Sequence, residues 1–183
     1  ISNSQSLYCW GSNVYGNLGN GLHGSGVFSD QPVEITSFGV SLYPIEVATS
    51  IVHSCAILND GTVSCWGDNS FGQLGDGTQI DRYVPTQTVS LGAGVKAVDI
   101  AVGGYHTCAV LDDGDVKCWG LNGHGQIGDN SQIDKYVPTS SSVFTGTSKA
   151  IAITAGYDYS CALIVDGSVR CWGKNNLCLL YTS

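Results

Sequence analysis

The chain has 183 residues, of which only 12% are charged, 25 are glycine, eight are cysteine and none is methionine. Fifteen acidic against seven basic residues leave a formal charge of −8, and the cations are scattered from Arg82 to Lys174, so no basic stripe exists to displace counterions from nucleic acid. No run suits membrane insertion and no stretch sustains a 3.6-residue apolar period, which leaves an all-β domain with almost no helix as the expectation.

In chain order, the first strong signal is Cys9-Trp10-Gly11. The tripeptide returns at Cys65-Trp66-Gly67, Cys118-Trp119-Gly120 and Cys171-Trp172-Gly173, with tryptophans spaced 56, 53 and 53 residues apart. A fixed period of about 50 residues marks a repeat architecture, a propeller or a solenoid. Residues 1–45 read as the end of one repeat and its connection to the next. A partner ten positions before Cys9 would precede residue 1, so the chain is expected to begin inside a hairpin. Three extra residues between Trp10 and Pro32, within Leu22-His23-Gly24-Ser25-Gly26-Val27-Phe28, account for the longer first spacing and map to a loop on one face.

Residues 46–98 form the next repeat. In it His53-Ser54-Cys55-Ala56-Ile57-Leu58 leads through Asn59-Asp60-Gly61 to Cys65. A three-residue loop with Gly61 left-handed pairs strand positions whose numbers sum to 120, which sets Cys55 opposite Cys65. Opposed residues of a non-hydrogen-bonded pair lie roughly 4.5 Å apart at Cα, within disulfide reach. Residues 99–151 repeat the pattern, with strand candidates at Lys96 to Val102, His106 to Leu111, Asp115 to Trp119 and, more weakly, Tyr136 to Val143. Four strands per unit make a propeller blade. The same rule pairs Cys108 with Cys118 and, in the truncated repeat 152–177, Cys161 with Cys171. Ser50 stands where Gly103 and Gly156 enter the other hairpins. Beyond Asn175 the register is lost, and residues 178–183, which begin with Cys178, read as a non-native tail.

These cysteines suit disulfides of an oxidising compartment, with buried free thiols as the open alternative. A metal is not expected: Tyr159 replaces His53 and His106, and no Cys-x-x-Cys occurs. No cofactor is expected either. Gly123-His124-Gly125-Gln126-Ile127-Gly128 matches a dinucleotide string, but no helix pattern follows it and its counterpart starts with Ser70. Asp112-Asp113-Gly114-Asp115 is hairpin-turn chemistry rather than a calcium loop. No His, Asp or Glu forms a catalytic constellation, so the chain reads as non-enzymatic.

The pattern Gly-x-x-His-Thr-Cys-Ala, then Asp-Gly-x-Val-x-Cys-Trp-Gly-x-Asn-x-x-Gly-Gln-Ile-Gly-Asp, resembles the repeats of the regulator of chromosome condensation family. The resemblance implies a ring of about seven blades, of which this chain would supply about three and a half. The paired cysteines are similar to those of secreted bacterial members. The light-sensing role of a plant relative is set aside, because each tryptophan ends a strand where blade packing explains it.

Within the strict register, the residues entering the cysteine-bearing strand vary: Ile51-Val52-His53, Gly104-Tyr105-His106 and Tyr157-Asp158-Tyr159. A rigid scaffold would hold them at corresponding points of each blade, and tyrosine gives large contact area at low entropic cost. Val52, Tyr105, Tyr157, Asp158 and Tyr159 are therefore the candidate partner-binding residues, against the alternative that the rings pack on a neighbouring blade. A second surface carries Phe28, Arg82-Tyr83 and Lys135-Tyr136, where the recurring Tyr-Val-Pro favours packing. The expected function is a protein–protein interaction module, extracellular or cell-surface, with periplasmic as an alternative location. Its partner is an unidentified protein, apart from neighbouring blades of its own chain. The competing function is an intracellular regulator of the guanine-nucleotide exchange type.

Overall fold

The computed structural model describes residues 1, 6–35, 38–144 and 148–175. The segment read as a non-native tail lies outside them. Among the described residues all regular structure is antiparallel sheet. A two-stranded sheet of β1 (Leu7–Ser12) and β2 (Phe28–Ile35) precedes a blade of β3 (Pro44–Thr49), β4 (His53–Leu58), β5 (Val63–Gly67) and β6 (Arg82–Gln87). The second blade contains β7 (Ala97–Val102), β8 (His106–Leu111), β9 (Val116–Gly120) and β10 (Lys135–Ser140). A third sheet holds β11 (Ala150–Ala155), β12 (Tyr159–Ile164) and β13 (Val169–Gly173). We letter the strands of each four-stranded blade A to D in chain order. The meander of four short strands per period is a propeller blade, and the whole is an arc of one.

The register starts from the hairpins. The Gly61 amide donates to the Leu58 carbonyl (2.8 Å) with Gly61 at φ +87°, the three-residue loop with a left-handed glycine. Cys55 then faces Cys65, and the equivalents face each other in the next two hairpins. Their Cα separations are 4.1, 4.1 and 4.0 Å, with the sulfurs joined at 2.15, 2.11 and 2.04 Å. Cys9, half-buried on β1, is a free thiol, and burial raises its pKa.

The core lies between blades rather than within them. Every residue of β4 and β8 is buried, as a strand covered on both faces must be. One face of β4 joins Leu7, Ile35 and Trp66 in the layer toward β1–β2, and the other joins Leu74, Ile100 and Trp119 in the layer toward the second blade. A third layer, with Ile127, Ile153 and Trp172, joins the second blade to the third.

Each layer is closed by the CD connection of the preceding sheet, which reaches over the next strand-C tryptophan. Asn17 accepts from Trp66 Nε1 at 2.9 Å, and Gln126 accepts from Trp172 Nε1 at 2.8 Å, both through backbone carbonyls. Contact is so close that a Cβ on Gly75 would lie 2.7 Å from Trp119 Nε1, which only glycine permits. Among the described residues nothing covers Trp10 in this way, and it is 62% exposed.

Candidate functional site

AB turns and CD connections emerge at the same end of every blade. The turns are short because the residue before them bonds back across them: Ser50, Gly103 and Gly156 amides donate to the carbonyls of His53, His106 and Tyr159 at 2.9, 2.8 and 2.9 Å. The carbonyls of Val52, Tyr105 and Asp158 then accept from Asp68, Leu121 and Lys174, the residues that follow each Cys-Trp-Gly. Successive turns also meet, the Gly104 amide reaching the Tyr157 carbonyl at 3.0 Å.

The CD connections are organised by a buried asparagine. Asn69 accepts from the Leu74 amide through Oδ1 and donates through Nδ2 to Asp76 Oδ1 and to the Thr78 and Ile80 carbonyls. Asn122 makes the equivalent set with Ile127, Asp129, Ser131 and Ile133. Ion pairs Arg82–Asp76 (2.7 Å) and Lys135–Asp129 (2.9 Å) tie the loops to strand D, and hydrogen bonds from Lys135, Ser131 and Asn122 lower the Asp129 carboxyl to about 2 despite its burial.

On this framework aromatic rings from successive blades touch. Phe71 meets Tyr105 with centroids 5.2 Å apart and planes at 71°, and Tyr105 meets Tyr157 at 5.9 Å and 87°. A hydrogen bond with the Tyr157 side chain, then burial, then nearby Tyr157, Tyr15 and Asp68 raise the Tyr105 phenol above its ordinary pKa. Tyr157 is 56% exposed.

The candidate residues occupy this end unequally. Tyr105 is half-buried within the row, and Asp158 is half-buried and held by Lys174 at 3.0 Å. Tyr159 fills the space beside Gly156, where a Cβ would lie 2.2 Å from its ring. Val52 is different. It is only 3% exposed, and its carbonyl is taken by the Asp68 amide. Phe71 was not among the candidates. It occupies the position of Tyr15 and His124, and that run of rings in the Asn-x-x-Gly segment was the available signal.

On the second surface Tyr83 stacks on His23 (3.6 Å, 13°), so the inserted loop lies against the next blade, and Tyr136 lies where a Cβ on Gly72 would strike it at 2.3 Å. Phe28 stays 70% exposed. His53 and His106 are buried between blades; burial lowers their pKa values to about 3 and about 4. Among the described residues no three His, Cys, Asp or Glu side chains are grouped to hold a metal ion.

A family model described as the regulator of chromosome condensation (RCC1) repeat matches residues 5–57, 60–110 and 113–163, and a second model of that repeat matches 45–73, 97–126 and 150–177. The Arabidopsis thaliana ultraviolet-B receptor UVR8 is 31% identical over 176 residues, covering 94% of this chain and 39% of the receptor. The rat probable E3 ubiquitin-protein ligase HERC4 is 37% identical over 131 residues, 72% of this chain and 12% of the ligase. Among solved structures, human WBSCR16 superposes with a TM-score of 0.79 at 26% identity, covering 91% of this chain and 42% of its own. Prp20p of Saccharomyces cerevisiae superposes at 0.78 with 21% identity, over 93% of this chain and 42% of its own. The chain thus spans less than half the length of each.

Proposed function

Because the chain belongs to the regulator of chromosome condensation (RCC1) repeat family, matched over three consecutive repeats, we propose that it is a non-enzymatic protein-binding module that docks its partner on the end bearing the AB turns. The observation that carries this reading is the Phe71–Tyr105–Tyr157 row. Three rings from three separate blades form one surface, and a main-chain bond from the Gly104 amide to the Tyr157 carbonyl joins two of the turns that carry them. Rigidly mounted tyrosines are common anchors of interfaces.

We place the protein outside the cell or on its surface. Three cross-strand cysteine pairs in successive hairpins favour an oxidising compartment. The fold is compatible with that setting, since the ectodomain of the Physcomitrella patens receptor kinase CR4 superposes with a TM-score of 0.58. The exchange-factor reading draws on Prp20p, whose structure was described with its binding to Gsp1p and histones. Ubiquitin ligation is not carried over, since the matched region is 12% of HERC4 and 4% of mouse HERC2.

Two experiments test the proposal. Tyr105→Ala and Tyr157→Ala should each weaken capture of the partner by about 1–2 kcal/mol while leaving the melting temperature nearly unchanged; lost stability with intact affinity would make these rings core and move the site elsewhere. Intact mass under non-reducing and reducing conditions separates the two settings: three disulfides in the native protein support the extracellular one, and free thiols throughout support the intracellular one.

A further inference from the structure

Resting on the reading of the AB-turn end as the docking surface, we propose that the Phe71–Tyr105–Tyr157 row receives a cationic side chain, an arginine or lysine, presented by a loop or extended segment of the partner protein. The two contacts are edge-to-face, at 71° and 87°, so neighbouring rings stand at steep angles to one another rather than as a flat stack. Ring faces in that arrangement are the negative ends of aromatic quadrupoles, and they attract a cation placed over them.

The charges around the row point the same way. The AB turns, the CD connections with the first residue of strand D, and Lys174 together carry Asp68, Asp76, Asp81, Asp129, Asp134 and Asp158 against Arg82, Lys135 and Lys174. All three cations are already committed, to Asp76, Asp129 and Asp158 at 2.7, 2.9 and 3.0 Å. Among the described residues of this end, then, no lysine or arginine is left to cover the rings from within. Asp68, whose field reaches Tyr105, has no cationic partner and accepts instead from Ser70 and Gln73. The −8 formal charge of the chain adds long-range attraction for a basic surface. A neutral apolar anchor would use the ring area but none of this field.

The test is a nuclear magnetic resonance titration of the 183-residue chain with a capped peptide alternating glycine and arginine, and with its citrulline counterpart, which keeps shape and loses charge. The arginine peptide should shift the Tyr105 and Tyr157 ring signals. Its affinity should fall about three- to fivefold with citrulline, with Y105A or with Y157A, while Y105F keeps it, because the ring face and not the hydroxyl holds the cation. Equal binding of both peptides, still weakened by the tyrosine variants, overturns the cation while sparing the docking surface. Indifference of both peptides to Y105A and Y157A overturns the surface as well, and failure of the arginine peptide to bind overturns the proposal outright.

Discussion

His106 carries its proton on Nε2. The Ser160 hydroxyl that it meets at 2.9 Å donates to the Gln126 carbonyl at 3.1 Å, so Oγ must accept from the ring. His53 does the same through Thr107, which donates to Gln73. The two differ at Nδ1. Ser50 reaches His53 there at 3.1 Å, whereas His106 Nδ1 is buried without a partner, because Gly103 replaces the serine. Both rings must stay neutral. Their folded pKa values lie below the unfolded value of about 6.5, so their stability contribution is complete above that pH and is lost as pH falls toward 4, at about 1.4 kcal/mol per pH unit for each ring. Urea midpoints should therefore drop steeply between pH 6.5 and 5, and a flat profile would contradict the neutral tautomers. A second orphan lies nearby. Gln73 gives its amide to Asp68, but Leu121 stands at the equivalent place in the next repeat, leaving Gln126 Nε2 buried and unpaired. Leu121→Asp should stabilise the protein by about 1 kcal/mol, read as a higher melting temperature. The sequence exposed the Ser50 position as a break in register, but not which atom the glycine at that position would strand. Nor did variability beside a turn reveal that Val52 is buried.

Within the hairpins, periodicity and Asp-Gly chemistry made the pairing legible to the residue, since a three-residue loop leaves one register. Removing one link, by Cys108→Ala with Cys118→Ala, should cost roughly 2–3 kcal/mol in chemical denaturation. Strand A was legible only as a run of small and β-branched residues. Its bulge, repeated at Ile45, Val98 and Ile151, was not, because it serves the adjacent blade. There Asp99 accepts from the Ile153 amide of the third sheet at 2.6 Å. Glu46 approaches Asp99 from the other side; burial first, then the hydrogen bond to that carboxylate and its charge, raises Glu46 to about 7. A carboxyl with a raised folded pKa contributes stability below its unfolded value and loses it as pH climbs, here from about 4.5 to 7. This opposes the histidines over the same range, and two fully buried rings outweigh one half-buried carboxyl. Glu46→Gln should therefore make the rise in stability between pH 4.5 and 6.5 steeper; a shallower rise would mean that Glu46 does not hold its proton there.

At the scale of the molecule, Cys-Trp-Gly announced the period, and the structure explains why it must be accompanied by Gly-Gln-Leu-Gly: the second motif of one blade is the lid over the tryptophan of the next. Sequence reasoning assigned the tryptophans to packing but could not join the two motifs, since the partners lie 46 residues apart, as Gln126 and Trp172 do. The three disulfides, by contrast, stay inside single hairpins, with a separation of 10 residues each. Under tension the arc should therefore behave as stiff plates joined by non-covalent seams. Pulled by its ends in an optical trap, it should yield plate by plate, and each plate should stop short because the stretch between its cysteines cannot pay out. Adding reductant should lengthen each of the three disulfide-bearing steps by roughly 35 Å, the reach of ten released residues. Steps of equal length with and without reductant would show that the hairpins carry no such locks.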